Sequence, residues 1–258
     1  MSKKRGKKLG PLAVLSLIRE ARRGAGDPRP LSVAGAKELV PLLARELRSG
    51  GDASAVVEQT LENVAVVVWV GAPDEAALHK VDRAGVPIVA VTDAEDVPYV
   101  LATDLVRIPP GQGFPVAEVA AAVAAKLGED GTSLAARLPT LRPAVCHHLI
   151  ESFARRNAAI GAAVFIPGVD MPLLTLNQIR LVLRLALAYG QEMDQTRAVE
   201  LLGVVGAGFG FRAVARELLD LIPVAGWALK GAVAYGGTKA VGEAAVRYFE
   251  GRSVRSGS

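Results

Sequence analysis

The chain has 258 residues, 51% of them hydrophobic, and a formal net charge of +4. Five basic residues lie within the first eight positions, and the other 25 basic residues are matched by 26 acidic ones. A body this close to neutral lacks the basic face that nucleic-acid binding requires, so we expect no nucleic-acid partner. The single cysteine, Cys146, and the absence of an apolar signal core at the start favour a reducing cytoplasm.

The basic residues near the start define a tail, residues 1–10, which we expect to be disordered. Such a tail also attracts anionic lipid, by about 1 kcal/mol for each charge near the membrane surface. Peripheral association with the inner face of a membrane is therefore a hypothesis alongside a solubilising role. A short amphipathic helix is predicted next, over residues 12–22.

Residues 11–128 alternate apolar, β-branched runs with helical patterns, which predicts an α/β domain. Strands alternating with helices favour right-handed crossovers and a parallel sheet with helices on both faces, a three-layer fold. The predicted strands are residues 31–34, 65–70, 86–91 and 104–108, and the predicted helices are residues 37–47, 74–83, 97–102 and 116–127.

Residues 129–143 contain Gly, Asp, Ser, Thr and two prolines, and we interpret them as a linker. No strand pattern follows, so residues 144–250 are predicted to form an all-α domain, ending in a disordered tail at residues 251–258. Thr175 and Gln178 fit a capping box that would start one of these helices. The predicted helices are residues 144–162, 179–189, 196–210, 212–221, 225–235 and 239–249.

Small residues at i, i+4 spacing mark the last part of the helical region and predict close helix packing. A glycine inside a helix costs about 1 kcal/mol relative to alanine. The glycines of this helical region therefore indicate close packing that offsets the cost. Charged residues interrupt every apolar run, which favours a seam within a bundle or between protomers over a membrane span. The row is Ala228, Ala232, Gly236, Ala240 and Ala244.

Ligands of open parallel sheets bind at the carboxyl ends of the strands, where Gly35 and Lys37 follow the first predicted strand. A phosphate-binding loop needs G-x-x-x-x-G-K-[ST], and this chain keeps one glycine and the lysine without the intervening loop. Thr92 and Asp93 follow another strand at the same edge. These four residues are the candidate residual nucleotide site.

The other polar clusters have simpler interpretations. Asp74, Asp93 and Glu95 stand at strand ends, where acids ordinarily cap the following helix. Cys146-His147-His148 and a distant His79 do not complete a zinc ligand set. Arg180 and Arg184, one turn apart, are expected to form a solvated stripe. No metal site and no catalytic residue is predicted.

Residues 31–128 resemble the layout of a Ras-like or Era-like GTPase domain. A strand, loop and helix at residues 31–47 precede a strand at residues 65–70, and Val91-Thr92-Asp93 stands where such domains carry Asn-Lys-x-Asp. Residues 106–127 resemble the final strand, loop and helix. Neither the phosphate loop nor an Asp-x-x-Gly motif is present, so the resemblance implies a degenerate domain that has lost catalysis.

Residues in the second half are similar to the helical domain of unknown function 697, which often follows an Era-like GTPase in bacterial proteins and is sometimes membrane-associated. The family has no assigned chemistry, so the resemblance implies no reaction. The residues that carry it are Ile166-Pro167, Asp170, Gln178, Ala188-Tyr189-Gly190, Leu221 through Gly226, Thr238, Ala240-Val241-Gly242 and Tyr248-Phe249.

The sequence therefore predicts a bacterial interaction or membrane-docking protein without enzymatic activity and without a cofactor. Its helical domain would contact a protein partner or a second copy of the chain. The alternative is a divergent GTPase that binds GTP and magnesium through residues 35–37. A receiver-like signalling domain, suggested by residues 87–93, ranks third because the acidic pocket after its first strand is absent.

Overall fold

The computed structural model describes residues 19, 27–109, 111–163, 170–191 and 227–256. The chain divides into two compact units. Of the described residues, one unit, called here the α/β unit, comprises residues 27–109, 111–149 and 187–191. The other, called the helical unit, comprises residues 19, 150–163, 170–186 and 227–256.

The α/β unit is built on a five-stranded, entirely parallel sheet in the order β2-β1-β3-β4-β5. This confirms the predicted α/β layout with a parallel sheet. The order is one of the common doubly wound arrangements, in which the chain leaves the sheet on opposite faces from β1 and β3. The strands are β1 (Leu31–Gly35), β2 (Val56–Glu58), β3 (Val66–Val70), β4 (Ile88–Thr92) and β5 (Leu105–Arg107).

Helices cover both faces of the sheet. Helix α1 (Val40–Arg48) packs against β1 and β2, and α3 (Val116–Leu127) packs against β3, β4 and β5. Helix α2 (Glu75–Arg83) covers the opposite face, where Leu78 and Val81 contact alternate residues of the central strands. Strands buried on both faces explain the uninterrupted apolar runs in the sequence.

Strand β2 is absent from the sequence-based prediction. Its three residues, Val-Val-Glu, are too few to produce an alternating pattern, and it lies at the edge of the sheet. The Arg48 guanidinium donates to the Val56 carbonyl at 2.9 Å and pairs with Glu58, also at 2.9 Å. A charged side chain on an edge strand protects it from pairing with another chain.

The predicted helix at residues 97–102 is wrong. The segment is an irregular loop that ends in a short 3-10 helix, Ala102–Asp104. Pro98 disfavours helical geometry at the residue before it, and Tyr99 has a φ of +65°, in the left-handed region. The apolar residues of this segment therefore belong to a loop, in which Val97 is buried and Leu101 is exposed.

Beyond α3, a 3-10 helix (Gly128–Gly131) and helix α4 (Thr132–Arg137) occupy part of the segment interpreted as a linker. Helix α5 (Arg142–Ala163) follows and matches the prediction closely. Its first residue, Arg142, donates to the carbonyls of Ala135 at 3.2 Å and Ala188 at 3.0 Å. These bonds satisfy carbonyl groups at two helix ends within the α/β unit.

Two predicted helix boundaries in the second half are wrong. Helix α6 (Asp170–Ala188) begins nine residues before residue 179, so Thr175 lies inside the helix and does not cap it. Helix α7 (Trp227–Ser256) is continuous where two helices were predicted, and it runs past Gly251. The adjacent residues Gly236 and Gly237 lie inside this helix and cost about 2 kcal/mol in helix propensity. Packing of the helix before and after them offsets this cost.

The predicted row of small residues does not form the seam of α7. Of its described members Ala244 is buried, whereas Ala232, Gly236 and Ala240 are exposed. The packed stripe is displaced around the helix and includes Gly231, which lies against the Ala158 carbonyl of α5. A Cβ atom at Gly231 would stand 3.2 Å from that oxygen. Close helix packing is confirmed, and the face chosen for it is corrected.

None of the described helices is both long and apolar enough to cross a membrane. Several predictions lie outside the described residues: the basic tail, residues 12–18 and 20–22 of the first helix, the helices at residues 196–221, and Ala228 as a side chain.

Candidate functional site

A groove of about 550 Å³ lies at the carboxyl edge of the sheet, where β1, β2 and β3 end. In the order β2-β1-β3-β4-β5, helices leave β1 and β3 on opposite faces, so this is the topological switch point of the sheet. Doubly wound folds bind ligands at this position. The groove is lined by Gly35, Ala36, Lys37, Gln59, Leu61, Trp69, Ala72, Asp74 and Ala77.

The ladder between β1 and β3 continues to the last residues of both strands. The Ala36 amide donates to the Val70 carbonyl at 2.9 Å. Gly35 has a φ of +120°, and a Cβ atom there would stand 2.2 Å from the same carbonyl oxygen. Glycine is required here so that two strands can meet, because any side chain would collide with backbone.

Gln59 holds both backbone polar groups of Gly35. Its Oε1 accepts from the Gly35 amide at 3.3 Å, and its Nε2 donates to the Gly35 carbonyl at 3.1 Å. A phosphate-binding loop works by directing free amides at phosphate oxygens. The amides of Gly35 and Ala36 are instead committed to Gln59 and Val70.

Lys37 and Asp74 supply the charges of the groove. Lys37 is exposed, and no acceptor within the described part of the chain pairs with its ammonium group. The Asp74 carboxylate accepts from the Ala77 amide at 3.1 Å and thereby caps α2, which confirms its predicted role. Trp69 forms part of the floor, and its indole N–H donates to the Ala72 carbonyl at 3.0 Å.

Thr92 and Asp93 lie at the end of β4 and do not line the groove. Thr92 is fully buried, and its hydroxyl oxygen accepts from the Ala94 amide at 3.1 Å. Asp93 is exposed. The structure thus brings Gly35 and Lys37 together in one groove and places the other two candidate residues apart from it.

Sequence reasoning did not find Gln59 or Trp69. Gln59 follows β2, a three-residue strand too short to give a recognisable pattern in the sequence. A single glutamine in a polar stretch is not part of any known binding motif. Trp69 lies within an apolar run, a position that is typical of a core residue. Within the residues that the structure describes, no group of three or more His, Cys, Asp or Glu side chains could hold a metal ion.

The helical unit carries a three-residue polar cluster on α5 and α7. The Glu151 carboxylate accepts from the Tyr235 hydroxyl at 2.6 Å and from the Lys239 ammonium at 2.6 Å. The hydrogen bond to Glu151 raises the pKa of Tyr235, and the same carboxylate raises the pKa of Lys239. The two hydrogen bonds to Glu151 link α5 to α7.

A second polar connection crosses the interior of the helical unit. Asn157 of α5 is fully buried, donates to the Thr238 hydroxyl at 2.8 Å and accepts from Asn177 of α6 at 2.9 Å. Thr238 in turn donates to the Ala234 carbonyl at 2.8 Å. Because buried polar groups must be paired, this network fixes the register of three helices.

The expected solvated stripe of Arg180 and Arg184 is wrong for Arg184, which is 8% exposed. Arg180 is half-buried and donates to Asn177 at 3.4 Å. An arginine can be buried on a helix when its guanidinium has polar partners. The spacing of charged residues in a sequence does not indicate which arginines are buried in this way.

The structure thus consists of a doubly wound α/β unit, with a groove at its switch point, and a helical unit. The helices of the second unit are joined by hydrogen bonds between polar side chains. Residues 128–257 match the family model described as Domain of unknown function (DUF697). The match spans half of the chain, and the chain belongs to this family. No curated protein and no solved structure matches it.

Proposed function

We propose that this chain is a non-catalytic bacterial interaction protein, in which a degenerate GTPase-like domain supports a helical interaction module. The observation that carries the proposal is the Gln59 clamp on Gly35, which occupies the amide that a phosphate would need. A single residue separates Gly35 from Lys37, where a phosphate-binding loop has five. The α/β layout and the position of Lys37 after β1 support descent from a nucleotide-binding fold.

The helical unit supplies the interaction module in this proposal. Its helices are held by internal polar pairs, so a partner would meet a preformed surface. The partner is a protein or a second copy of the chain. Peripheral docking to an anionic membrane is favoured by one further feature, the five basic residues before position 9.

Thermal unfolding with GTP and magnesium tests the absence of nucleotide binding. A ligand at 100 times its dissociation constant adds about 2.7 kcal/mol to the stability of the state that binds it. We expect no change in the unfolding midpoint. A rise that Lys37→Ala removes would support the alternative, a GTP-binding protein that uses the groove.

Flotation with liposomes tests membrane docking. Full-length protein is mixed with vesicles that contain phosphatidylserine, and the same chain without residues 1–8 serves as the control. Docking through the basic tail predicts flotation of the full chain, lost on truncation and at high salt. If the full chain stays unbound at low salt, the function is limited to protein partners.

A further inference from the structure

The loop between β4 and β5 presents two exposed apolar side chains from a firmly anchored backbone. Val97 is 2% exposed and belongs to the core beside α2, and Val100 packs against the same core. Tyr99 and Leu101, which flank Val100, are 45% and 66% exposed. Packing of the valines fixes the outward direction of their neighbours.

The backbone at Tyr99 is strained, because its φ of +65° is rare for a bulky residue. The Tyr99 ring stacks on His79, with the ring centroids 5.3 Å apart, yet much of its surface stays open. The turn at Tyr99 thus places this ring at the surface between two valines that pack against the core, Val97 and Val100.

Three carboxylates stand on the same loop. Asp93, Glu95 and Asp96 are exposed, and none forms an ion pair with a residue that the structure describes. Lys80 of α2 is already paired with Glu62 at 2.8 Å. The Arg107 guanidinium donates to the Glu95 backbone carbonyl at 3.5 Å, and the three carboxylates outnumber this one cation. The surface therefore combines an apolar centre with an acidic flank.

We propose that residues 93–101, the 93–101 surface, dock a basic amphipathic segment of a partner protein. Tyr99 and Leu101 would pack against the apolar face of that segment, because preformed aromatic and aliphatic anchors dominate binding energy. The three carboxylates would pair with its Lys or Arg residues and speed association. The same carboxylates repel an anionic membrane. This surface adds a second contact region, on the α/β unit, to the proposed helical module.

A labelled peptide tests this proposal with the full chain. The probe is a synthetic helix of leucine and lysine, about 14 residues or four turns long, followed by fluorescence anisotropy. We expect saturable binding, weakened roughly tenfold or more by the double variant Tyr99→Ser with Leu101→Ser. Leu42→Ser, at a 42% exposed leucine of α1, is the matched control and should leave the affinity unchanged.

The charge contribution has its own variant. Replacing Asp93 by Asn, Glu95 by Gln and Asp96 by Asn should lower the affinity and flatten its dependence on salt. Equal binding by all variants, or no saturable binding, would overturn the proposal. If the double variant unfolds, the single variant Leu101→Ser, which changes the more exposed residue, is measured in its place. Unchanged peptide affinity in that variant would overturn the proposal. The result is independent of the nucleotide experiment, so each proposal can fail separately.

Discussion

The side chain of Gln59 forms hydrogen bonds with both backbone polar groups of Gly35. Its amide group accepts from the Gly35 N–H at 3.3 Å and donates to the Gly35 carbonyl at 3.1 Å, at the edge of the sheet where doubly wound folds bind ligands. The groove beside this pair keeps an aromatic floor and Lys37, which has no acceptor among the described residues. The amides of Gly35 and Ala36 are internally satisfied.

Gln59→Gly should remove both hydrogen bonds without backbone strain, since the φ of Gln59 is +53°. We expect a loss of about 1 kcal/mol in the free energy of unfolding, measured with urea. Asn63→Gly is the matched control, because Asn63 also has a positive φ, of 56°. That change should leave stability equal or slightly higher. Similar effects for both variants would contradict the clamp.

Two glycines of α7, Gly242 and Gly236, should respond oppositely to replacement by alanine. A Cβ atom at Gly242 would stand 2.5 Å from Cγ1 of Ile150, so Gly242→Ala should destabilise by about 1–3 kcal/mol through overpacking. Gly236 has nothing within 4 Å, and Gly236→Ala should stabilise by up to about 1 kcal/mol through helix propensity. Thermal unfolding of both variants distinguishes the packed face from the exposed one. Destabilisation by Gly236→Ala would reinstate the row first predicted.

The buried pair Asn157 and Thr238 should show coupling in a double-mutant cycle. Asn157→Ala leaves Thr238 and Asn177 without their partner and should cost about 1–3 kcal/mol. Adding Thr238→Val should cost less than in the native background, because its partner is already gone. Urea denaturation of the three variants measures the coupling. Additive effects would show that the two residues act independently.

Alkaline pH should weaken the helical unit through the Glu151 cluster. The pKa values of Tyr235 and Lys239 are raised from ordinary values of 10.0 and 10.5. A group whose pKa is higher in the folded state stabilises fully below its unfolded pKa and loses that effect as pH rises through the folded pKa. Stability should therefore fall from about pH 10 upward. Glu151→Gln should reduce this fall, and an unchanged pH profile would contradict the account.

The parallel sheet was predictable because strands buried on both faces leave continuous β-branched runs, as in Val66–Val70. The bounds of α3 coincide with the prediction, because alanine and valine at helical spacing end at a glycine with a φ of +57°. The capping role of Asp74 was predicted correctly, because a carboxylate just before a helix accepts a hydrogen bond from an amide of its first turn, which depends only on local sequence.

Other features depend on contacts between distant residues. The role of Gln59 exists only when β2 lies beside β1, and a three-residue edge strand leaves no local pattern. The continuity of α7 through Gly236 depends on packing at both of its ends, which outweighs a local cost. The direction of its packed stripe follows from Ile150 and Ala158 on α5, which no spacing rule within α7 reveals.

Titration of the full-length protein with magnesium and GTP, followed by calorimetry, tests the central claim most directly. The account predicts no binding heat for the native chain, because the amides of Gly35 and Ala36 are already paired with Gln59 and Val70. Saturable binding to the native chain, abolished by Lys37→Ala, would contradict it and establish the groove as a nucleotide site.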